Sequence, residues 1–276
     1  MATAAPTRGL TVPSPERVLG EGFPAFDMDL VQPILEEAGK FAADVLAPLN
    51  QLGDEQGAQL TGNGVITPVG FADAYKVFAE GGWMGLAAPE KWGGQGLPKT
   101  LANAVLEIIH GANMSFGLCP LLSLGAIEAL VEHGHPAEQE KYLPKLVSGE
   151  WTGTMNLTEP QAGSDVGALK TKAVPNGDGS YAISGQKIYI TWGDHDMAEN
   201  IIHLVLARLP DAPAGSKGIS LFVVPKVLVN EDGSLGERNN VQCIGLEKKI
   251  GIHASPTCVM EYDGATGWLV GEENRG

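Results

Sequence analysis

The fold of this chain is decided by the stretch Met155-Asn156-Leu157-Thr158-Glu159-Pro160-Gln161-Ala162-Gly163-Ser164-Asp165-Val166-Gly167, in which a short apolar strand enters a loop of turn residues. Such a loop can direct several backbone N–H groups, and the hydroxyls of Thr158 and Ser164, toward one ligand. A second segment, Lys187-Ile188-Tyr189-Ile190-Thr191-Trp192-Gly193, follows one hairpin later. A flavin ring needs donors and acceptors along its pyrimidine edge and an apolar wall beside its other edge. The two segments together predict a flavin site.

Each segment alone has a plainer interpretation. Ser, Asp and Gly favour turns for local reasons, so the first segment is also typical of a capped surface turn. Tyr189 and Trp192 are also compatible with aromatic residues packed in a β core. Strict strand alternation places Tyr189 and Thr191 on one face and Trp192 on the other. The flavin prediction therefore depends on the two segments occurring together.

The composition bounds the class of protein. A chain of 276 residues that is 43% apolar can form two domains with separate cores. Its net charge of −15 opposes binding to nucleic acid or to anionic membranes. The cysteines, Cys119, Cys243 and Cys258, are odd in number and widely spaced, which supports neither a disulfide framework nor a zinc site.

The same features predict a location. The N-terminus has no apolar signal segment, and no apolar run approaches the ~20 residues of a membrane span. Cysteine usage of this kind favours a reducing compartment. We therefore expect a cytoplasmic protein without an export signal or a membrane span.

The first half of the sequence has helical periodicity, with apolar residues three and four positions apart. Helices are expected from Leu30 to Pro48, from Thr67 to Gly82, around Leu101–Ile108, from Leu121 to His133 and from Pro136 to Gly149. Residues 1–151 are thus predicted to form an all-α domain.

After Trp151 the pattern changes to short runs of Val, Ile, Thr and Tyr between turn residues, which is typical of strands. A hairpin is expected at Ala173-Val174 and Tyr181–Ile183, and further strands at Ile201–Ala207, Ile219–Val224 and Thr257–Tyr262. Residues 152–276 are predicted to form a small β-barrel or sandwich domain.

Three motifs in this order resemble those of the acyl-CoA dehydrogenase family, flavoproteins that introduce a 2,3-double bond into acyl-CoA thioesters. Pro89–Gly96 resembles the first glycine loop of the family, although a plain loop explains it equally well. Thr158–Gly167 resembles the family signature, and Lys187–Gly193 resembles the flavin-contact strand that follows it. The resemblance covers nearly the whole chain and implies a helical domain followed by a β-barrel domain. Residues Tyr262–Gly271 are similar to the longer branch that includes methylthiopropanoyl-CoA dehydrogenases.

The resemblance implies FAD as the cofactor and assigns contacts to the first segment. Leu157 and Thr158 are expected at the pyrimidine edge, with Met155 lining the ring where the family commonly has an aromatic residue. Gly163 and Ser164 are expected near a phosphate, and Ser164 also near the substrate.

The resemblance assigns the other flavin contacts to the second segment, Lys187–Gly193. Tyr189, where Trp is common in the family, is expected against the ring, with Ile190 below it and the Thr191 hydroxyl near N5. Trp192 after this threonine is a departure from the family pattern.

Other candidate sites have competing explanations. The sequence Asp194-His195-Asp196 directs its carboxylates away from the imidazole, so no metal site is expected. The residues Lys217, Lys248 and Lys249 are candidates for CoA phosphates, although solvated lysines are the more common case. The helix Leu121–His133 lines the acyl pocket by resemblance, but an apolar stripe is as often simply core.

Dehydrogenation needs a carboxylate to take the α-proton and flavin N5 to accept the β-hydride. In the family this base is a Glu of a C-terminal helical bundle, and the chain stops at Gly276, where that bundle is expected to begin. We therefore expect no catalytic residue in this chain, weak FAD binding and no activity of the chain alone. Glu90 and Glu159 do not occupy the position of the base.

The leading hypothesis is an FAD-dependent acyl-CoA dehydrogenase that passes electrons to an electron-transferring flavoprotein and is a homo-oligomer when full length. One alternative is a flavin oxidase or monooxygenase on the same scaffold. Another is a non-catalytic subunit that completes the site of a partner.

Overall fold

The computed structural model describes residues 28–276 of the chain. Helices dominate its first half and are listed here in chain order: α1 (Met28–Phe41), α2 (Ala47–Gln56), α3 (Phe71–Glu80), α4 (Lys99–Ala112), α5 (Met114–His133) and α6 (Pro136–Ser148). A π-helical turn, Ala42–Leu46, joins α1 to α2.

The first predicted helix was wrong in where it ends. Pro48 does not terminate it, because it lies in the first turn of α2, where a missing N–H costs nothing. The helical path therefore continues to Gln56. Leu30, assigned to the buried stripe, is 43% exposed, whereas its neighbour Val31 is buried.

The fourth predicted helix was too short. Helix α5 begins at Met114 because Asn113 caps it, accepting a hydrogen bond from the Phe116 N–H at 3.0 Å. Pro120 lies inside this helix. By length and composition α5 could cross a membrane, but half of its most apolar window is buried inside the structure. Packing in the core thus accounts for its apolar character.

The first half also contains strands, which the expectation of an all-α domain missed. Strands β1 (Gln59–Thr61) and β2 (Gly64–Ile66) form a short antiparallel hairpin. Three-residue strands are too short to show a period of two in the sequence.

The second half is built from strands: β3 (Thr152–Asn156), β4 (Lys172–Pro175), β5 (Tyr181–Thr191), β6 (Ile201–Ala207), β7 (Ser220–Pro225), β8 (Val227–Val229), β9 (Leu235–Arg238), β10 (Val241–Leu246) and β11 (Thr257–Val270). Seven of them form one sheet in the order β3-β6-β7-β11-β5-β4, with β10 paired to β11. The hairpin β4–β5 confirms the predicted turn, since Val174 lies opposite Ala182. Strand β11 runs eight residues past Tyr262, pairing first with β5 and then with β7.

The sheet curls back on itself, as the predicted small barrel requires. Strands β3 and β5 are not neighbours in the strand order. Nevertheless the Ile188 N–H of β5 donates to the Thr158 carbonyl, just after β3, at 2.9 Å. The Thr154 hydroxyl of β3 donates to the Thr191 carbonyl at 2.7 Å. These bonds close the seam between the two ends of the sheet.

The two larger of three hydrophobic cores lie on opposite faces of this sheet. One joins the helices to β3, β6 and β7 and includes the aromatic group Phe41, Phe71, Tyr75, Phe78 and Phe116. The other fills the curled sheet and includes Ile183, Ile190, Val205 and Phe222. Because the first core crosses from helices to strands, the two halves share apolar packing, and the boundary at 151/152 stays a prediction.

Candidate functional site: the seam between β3 and β5

The structure brings the two predicted flavin segments together at the seam. Leu157 and Thr158 follow β3 directly, and Tyr189 and Thr191 end β5. Three hydrogen bonds join the segments: Ile188 N–H to the Thr158 carbonyl, Lys187 Nζ to the Leu157 carbonyl at 3.1 Å, and Thr154 Oγ1 to the Thr191 carbonyl. The shared location that the flavin prediction needed is therefore present.

Exposure separates an outer from an inner set of side chains at the seam. Met155, Leu157, Thr158 and Thr191 are half-buried, and Tyr189 is 59% exposed. Their chain neighbours Asn156, Glu159, Lys187 and Ile190 are buried. The outer set offers a surface to a ligand, and the inner set supports it.

Three predicted residues are placed differently from this outer set. Ile190 is 2% exposed and packs in the core of the sheet, so its side chain is not at the open surface. Gly163 and Ser164 lie farther along the loop, beyond the bridge between Glu159 and Ala162, and both are exposed.

Strand β5 does not alternate regularly, although Tyr189 and Thr191 lie in the outer set and Trp192 is buried, in agreement with the predicted faces. Lys187 pairs with Met260 and Ile190 with Cys258, so three steps along β5 match two along β11. The extra residue is accommodated at Tyr189, whose φ of +58° lies in the left-handed region that non-glycine residues rarely adopt. The bulge turns the Tyr189 side chain outward between the half-buried Ile188 and the buried Ile190.

Trp192 anchors the end of β5 to the helices. It is buried, and its indole N–H donates to the Ser115 carbonyl of α5 at 3.1 Å. Its φ of +54° is also left-handed. The strand that carries Tyr189 and Thr191 is thus held from behind by helix α5.

A buried ion pair behind the seam is the main feature that sequence reasoning missed. Lys187 Nζ lies 2.8 Å from Glu159 Oε1, and the side chains are 0% and 3% exposed. Burial raises the pKa of Glu159, but hydrogen bonds from Lys187 and Thr171 outweigh it and bring the pKa down to about 2. Burial lowers the pKa of Lys187, and Glu159 opposes that shift. An ionised, fully engaged carboxylate is a poor base, which agrees with leaving Glu159 out of the catalytic role.

A signal for this pair was present in the sequence. Counting by twos from Ile183, an apolar strand residue, places Lys187 on the same inward face. A lysine on a buried face requires a buried acidic partner, and Glu159 lies in the other motif.

A second, neutral network lies under β3. Asn156 donates to His203 Nδ1 at 3.1 Å and accepts from the Tyr262 hydroxyl at 2.8 Å. Burial lowers the pKa of His203 to about 3, so its imidazole is neutral and Nδ1 acts as the acceptor. This network fixes β3 one residue before Leu157.

The side chains of Asp194, His195 and Asp196 are engaged in structural contacts. Asp194 pairs with Lys226 at 2.6 Å, Asp196 accepts from Thr67, and His195 Nε2 contacts the Thr152 hydroxyl at 2.9 Å. In the described residues 28–276 no group of three His, Cys, Asp or Glu side chains is arranged to hold a metal.

The other predicted positions lie away from the seam. The glycine loop packs on itself, since a Cβ on Gly94 would lie 2.1 Å from the Ala88 carbonyl oxygen, so a packing requirement explains its glycine. A groove of about 520 Å³ separates this loop from α5 and is lined by Pro89, Leu124, Ile127 and Val131 among others. This places the second half of α5 beside a cavity, as the expected acyl wall requires.

Comparison with known proteins agrees with this arrangement. Residues 31–150 match the acyl-CoA dehydrogenase N-terminal domain, and residues 154–265 match the acyl-CoA dehydrogenase middle domain. The chain therefore belongs to the acyl-CoA dehydrogenase family, whose members are FAD enzymes.

Several individual acyl-CoA dehydrogenases are similar to this chain. A 3-methylmercaptopropionyl-CoA dehydrogenase of Ruegeria pomeroyi is 55% identical over 91% of this chain and 42% of its own length. A butyryl-CoA dehydrogenase of Syntrophomonas wolfei is 41% identical over 90% of this chain and 42% of its own length. The chain thus spans about two-fifths of these relatives. A solved acyl-CoA dehydrogenase of Bacillus anthracis complexed with FAD superposes with a TM-score of 0.73 at 25% identity, covering 92% of this chain and 39% of the other.

The residues at the seam fit a flavin. In the described part of the chain, the hydroxyls of Thr158 and Thr191 and the Thr158 N–H are engaged in no hydrogen bond. These unengaged groups lie at the same half-buried seam, with the exposed Tyr189 ring beside them. A polar ring edge with an aromatic neighbour is what such a surface recognises.

Proposed function

We propose that this chain provides the flavin and acyl-CoA binding surfaces of an FAD-dependent acyl-CoA dehydrogenase, acting on a short-chain acyl-CoA. The observation that carries the proposal is the closed seam, at which Thr158 and Thr191 from distant segments present free hydroxyls on one surface. Membership of the family and 55% identity to a 3-methylmercaptopropionyl-CoA dehydrogenase support the substrate class.

The residues of the chain have separate tasks in this function. Thr158 and Thr191 hold the polar edge of the flavin, and Tyr189 covers its face. Ser164, exposed in the loop, is placed to contact a phosphate or the substrate. When bound, FAD supplies the acceptor for the hydride that leaves the substrate β-carbon.

The α-proton needs a base that no residue at the seam supplies. Glu159 is ionised, buried and bound to Lys187, so it is unable to reach a substrate. We propose that the base comes from residues outside this chain, and that the chain alone binds FAD weakly and is inactive.

Two measurements on the purified chain test this proposal. FAD titration should show binding that Thr158→Val and Thr191→Val each weaken. Addition of 3-methylmercaptopropionyl-CoA or butyryl-CoA under anaerobic conditions should leave the flavin oxidised. Absence of FAD binding would overturn the proposed site, and robust bleaching with turnover would overturn the assignment of the base elsewhere.

The route of the electrons distinguishes the leading function from its alternatives. We propose an electron-transferring flavoprotein as the acceptor, in a cytoplasmic homo-oligomer. Oxygen consumption by the assembled enzyme would instead favour an oxidase or monooxygenase. Co-purification with a helical partner that carries the catalytic Glu would favour a non-catalytic subunit.

A further inference from the structure

A single peptide group at the seam is constrained from behind by the buried ion pair. The Lys187 ammonium, besides contacting Glu159, donates to the Leu157 carbonyl at 3.1 Å. This carbonyl belongs to the peptide bond between Leu157 and Thr158. Its oxygen is therefore directed inward, toward the buried Lys187 side chain of strand β5.

The orientation of the carbonyl fixes the opposite end of the same peptide. The described peptide bonds are all trans, so the C=O and N–H of one peptide point in opposite directions. With the Leu157 carbonyl directed at Lys187, the Thr158 N–H is directed outward. That N–H has no acceptor in the described chain, and Thr158 is half-buried at the open surface.

Glu159 in turn holds Lys187 in place. Its carboxylate accepts from the Lys170 N–H at 2.6 Å, from the Thr171 N–H at 3.0 Å and from the Thr171 hydroxyl at 2.6 Å. These donors hold the carboxylate, and the ammonium that is bound to it also reaches the Leu157 carbonyl. The Thr158 carbonyl is bound separately by Ile188, so the backbone on both sides of Thr158 is constrained.

We propose that Lys187 and Glu159 are positioning residues that present the Thr158 N–H as a hydrogen-bond donor to a pyrimidine carbonyl of the flavin. This inference rests on the proposed function and adds that the buried ion pair orients the Thr158 N–H. A donor at that edge stabilises electron density on the ring, so the pair raises both the FAD affinity and the reduction potential of the bound flavin.

The chain offers a matched control. Lys226 and Asp194 form another buried ion pair, at 2.6 Å, with side chains 17% and 3% exposed. Lys226→Met breaks that pair without touching Leu157 or Thr158. A general loss of stability would therefore appear in both lysine variants, whereas a loss of positioning would appear only at Lys187.

The test compares unfolding, FAD titration and flavin potential in four forms: wild type, Lys187→Met, Lys226→Met and the double variant Glu159→Gln/Lys187→Met. Both single variants should lose stability, and the double variant should recover part of it because no unpaired charge stays buried. FAD affinity should fall about tenfold in Lys187→Met and in the double variant, as expected for one lost hydrogen bond. The potential of the remaining bound flavin should become more negative in both.

The outcomes are distinct. In Lys226→Met the affinity should stay within about twofold of wild type, since distant sites act independently. Recovery of FAD affinity together with stability in the double variant would overturn the positioning role, as would an equal loss in Lys226→Met. A wild-type chain without FAD affinity would overturn the proposed function and this inference together, whereas unchanged affinity in Lys187→Met would overturn the inference alone.

Discussion

The ion pairs Lys187–Glu159 and Lys226–Asp194 are chemically alike, but they differ in whether the backbone groups near them are free to bind a ligand. Asp194 is bound by Lys226 and by the Val65 N–H at 3.1 Å, so it ties the β1–β2 hairpin to the sheet. Every group it orders is bonded within the protein. Lys187 with Glu159 orders the Leu157–Thr158 peptide, whose outer N–H stays free. A buried charge is therefore a functional signal when it leaves an unsatisfied group at an open surface.

The largest effect is expected from breaking the pair at the seam. Lys187→Met leaves the Glu159 carboxylate buried without its cation, which should cost about 3–5 kcal/mol of unfolding free energy. Urea denaturation monitored by tryptophan fluorescence measures this, with the wild-type chain as reference. A loss below about 1 kcal/mol would show that the seam pair is no stronger than a surface pair.

The second largest effect is expected from acid, which should remove the stabilisation that the Lys187–Glu159 pair provides. The folded pKa of Glu159, about 2, lies below its unfolded value of 4.5, so its contribution is present above pH 4.5 and is lost as the pH falls toward 2. The difference in unfolding free energy between wild type and Glu159→Gln should therefore shrink over this range. A constant difference from pH 5 to pH 2 would contradict the depressed pKa.

The pair at the hairpin should contribute less. Lys226 keeps some contact with water, and Lys226→Met should cost about 2 kcal/mol. Because Asp194 also holds Val65, hydrogen exchange at the Val65 amide should accelerate more than at β5. If hydrogen exchange accelerated equally in the β1–β2 hairpin and in β5, the Lys226–Asp194 pair would not stabilise the hairpin specifically.

The smallest effect on stability is expected from an ion pair that is exposed to solvent. Lys99 and Glu128 lie 2.7 Å apart with side chains 70% and 61% exposed. Lys99→Ala should change stability by no more than ~0.5 kcal/mol, because water and salt screen such pairs. Thermal unfolding at low and high salt measures it. If Lys99→Ala lost as much unfolding free energy as Lys226→Met, burial would not explain why ion pairs differ in their contribution to stability.

The sequence predicted the regular elements better than their junctions. Strand β6 (Ile201–Ala207) matches its prediction because six of its seven residues are apolar, all but His203, which leaves little alternative. Pro48 does not end the helix as predicted, because the π-helical turn before it places it in the first turn of α2, where it is tolerated. Such a local change in hydrogen-bond pattern has no signature in apolar spacing.

At the candidate site the sequence identified residue types, and the structure supplied their directions. Thr158, Tyr189 and Thr191 were found from motif order and lie together at the seam. The bulge at Tyr189 was missed, because alternation assumes equal residue counts on paired strands, and the register with β11 is a long-range property. The bond between Lys187 and Leu157 spans thirty positions and depends on the same closure.

The curl of the sheet has a kinetic consequence. Strand β5 pairs along most of its length with β11, the last strand of the described chain, and its Ile188 N–H donates to the Thr158 carbonyl. Contacts between distant segments form late in folding, because they require the closure of long loops. We therefore expect the cofactor surface to be incomplete in a nascent chain until Thr257–Val270 has emerged and paired with β5.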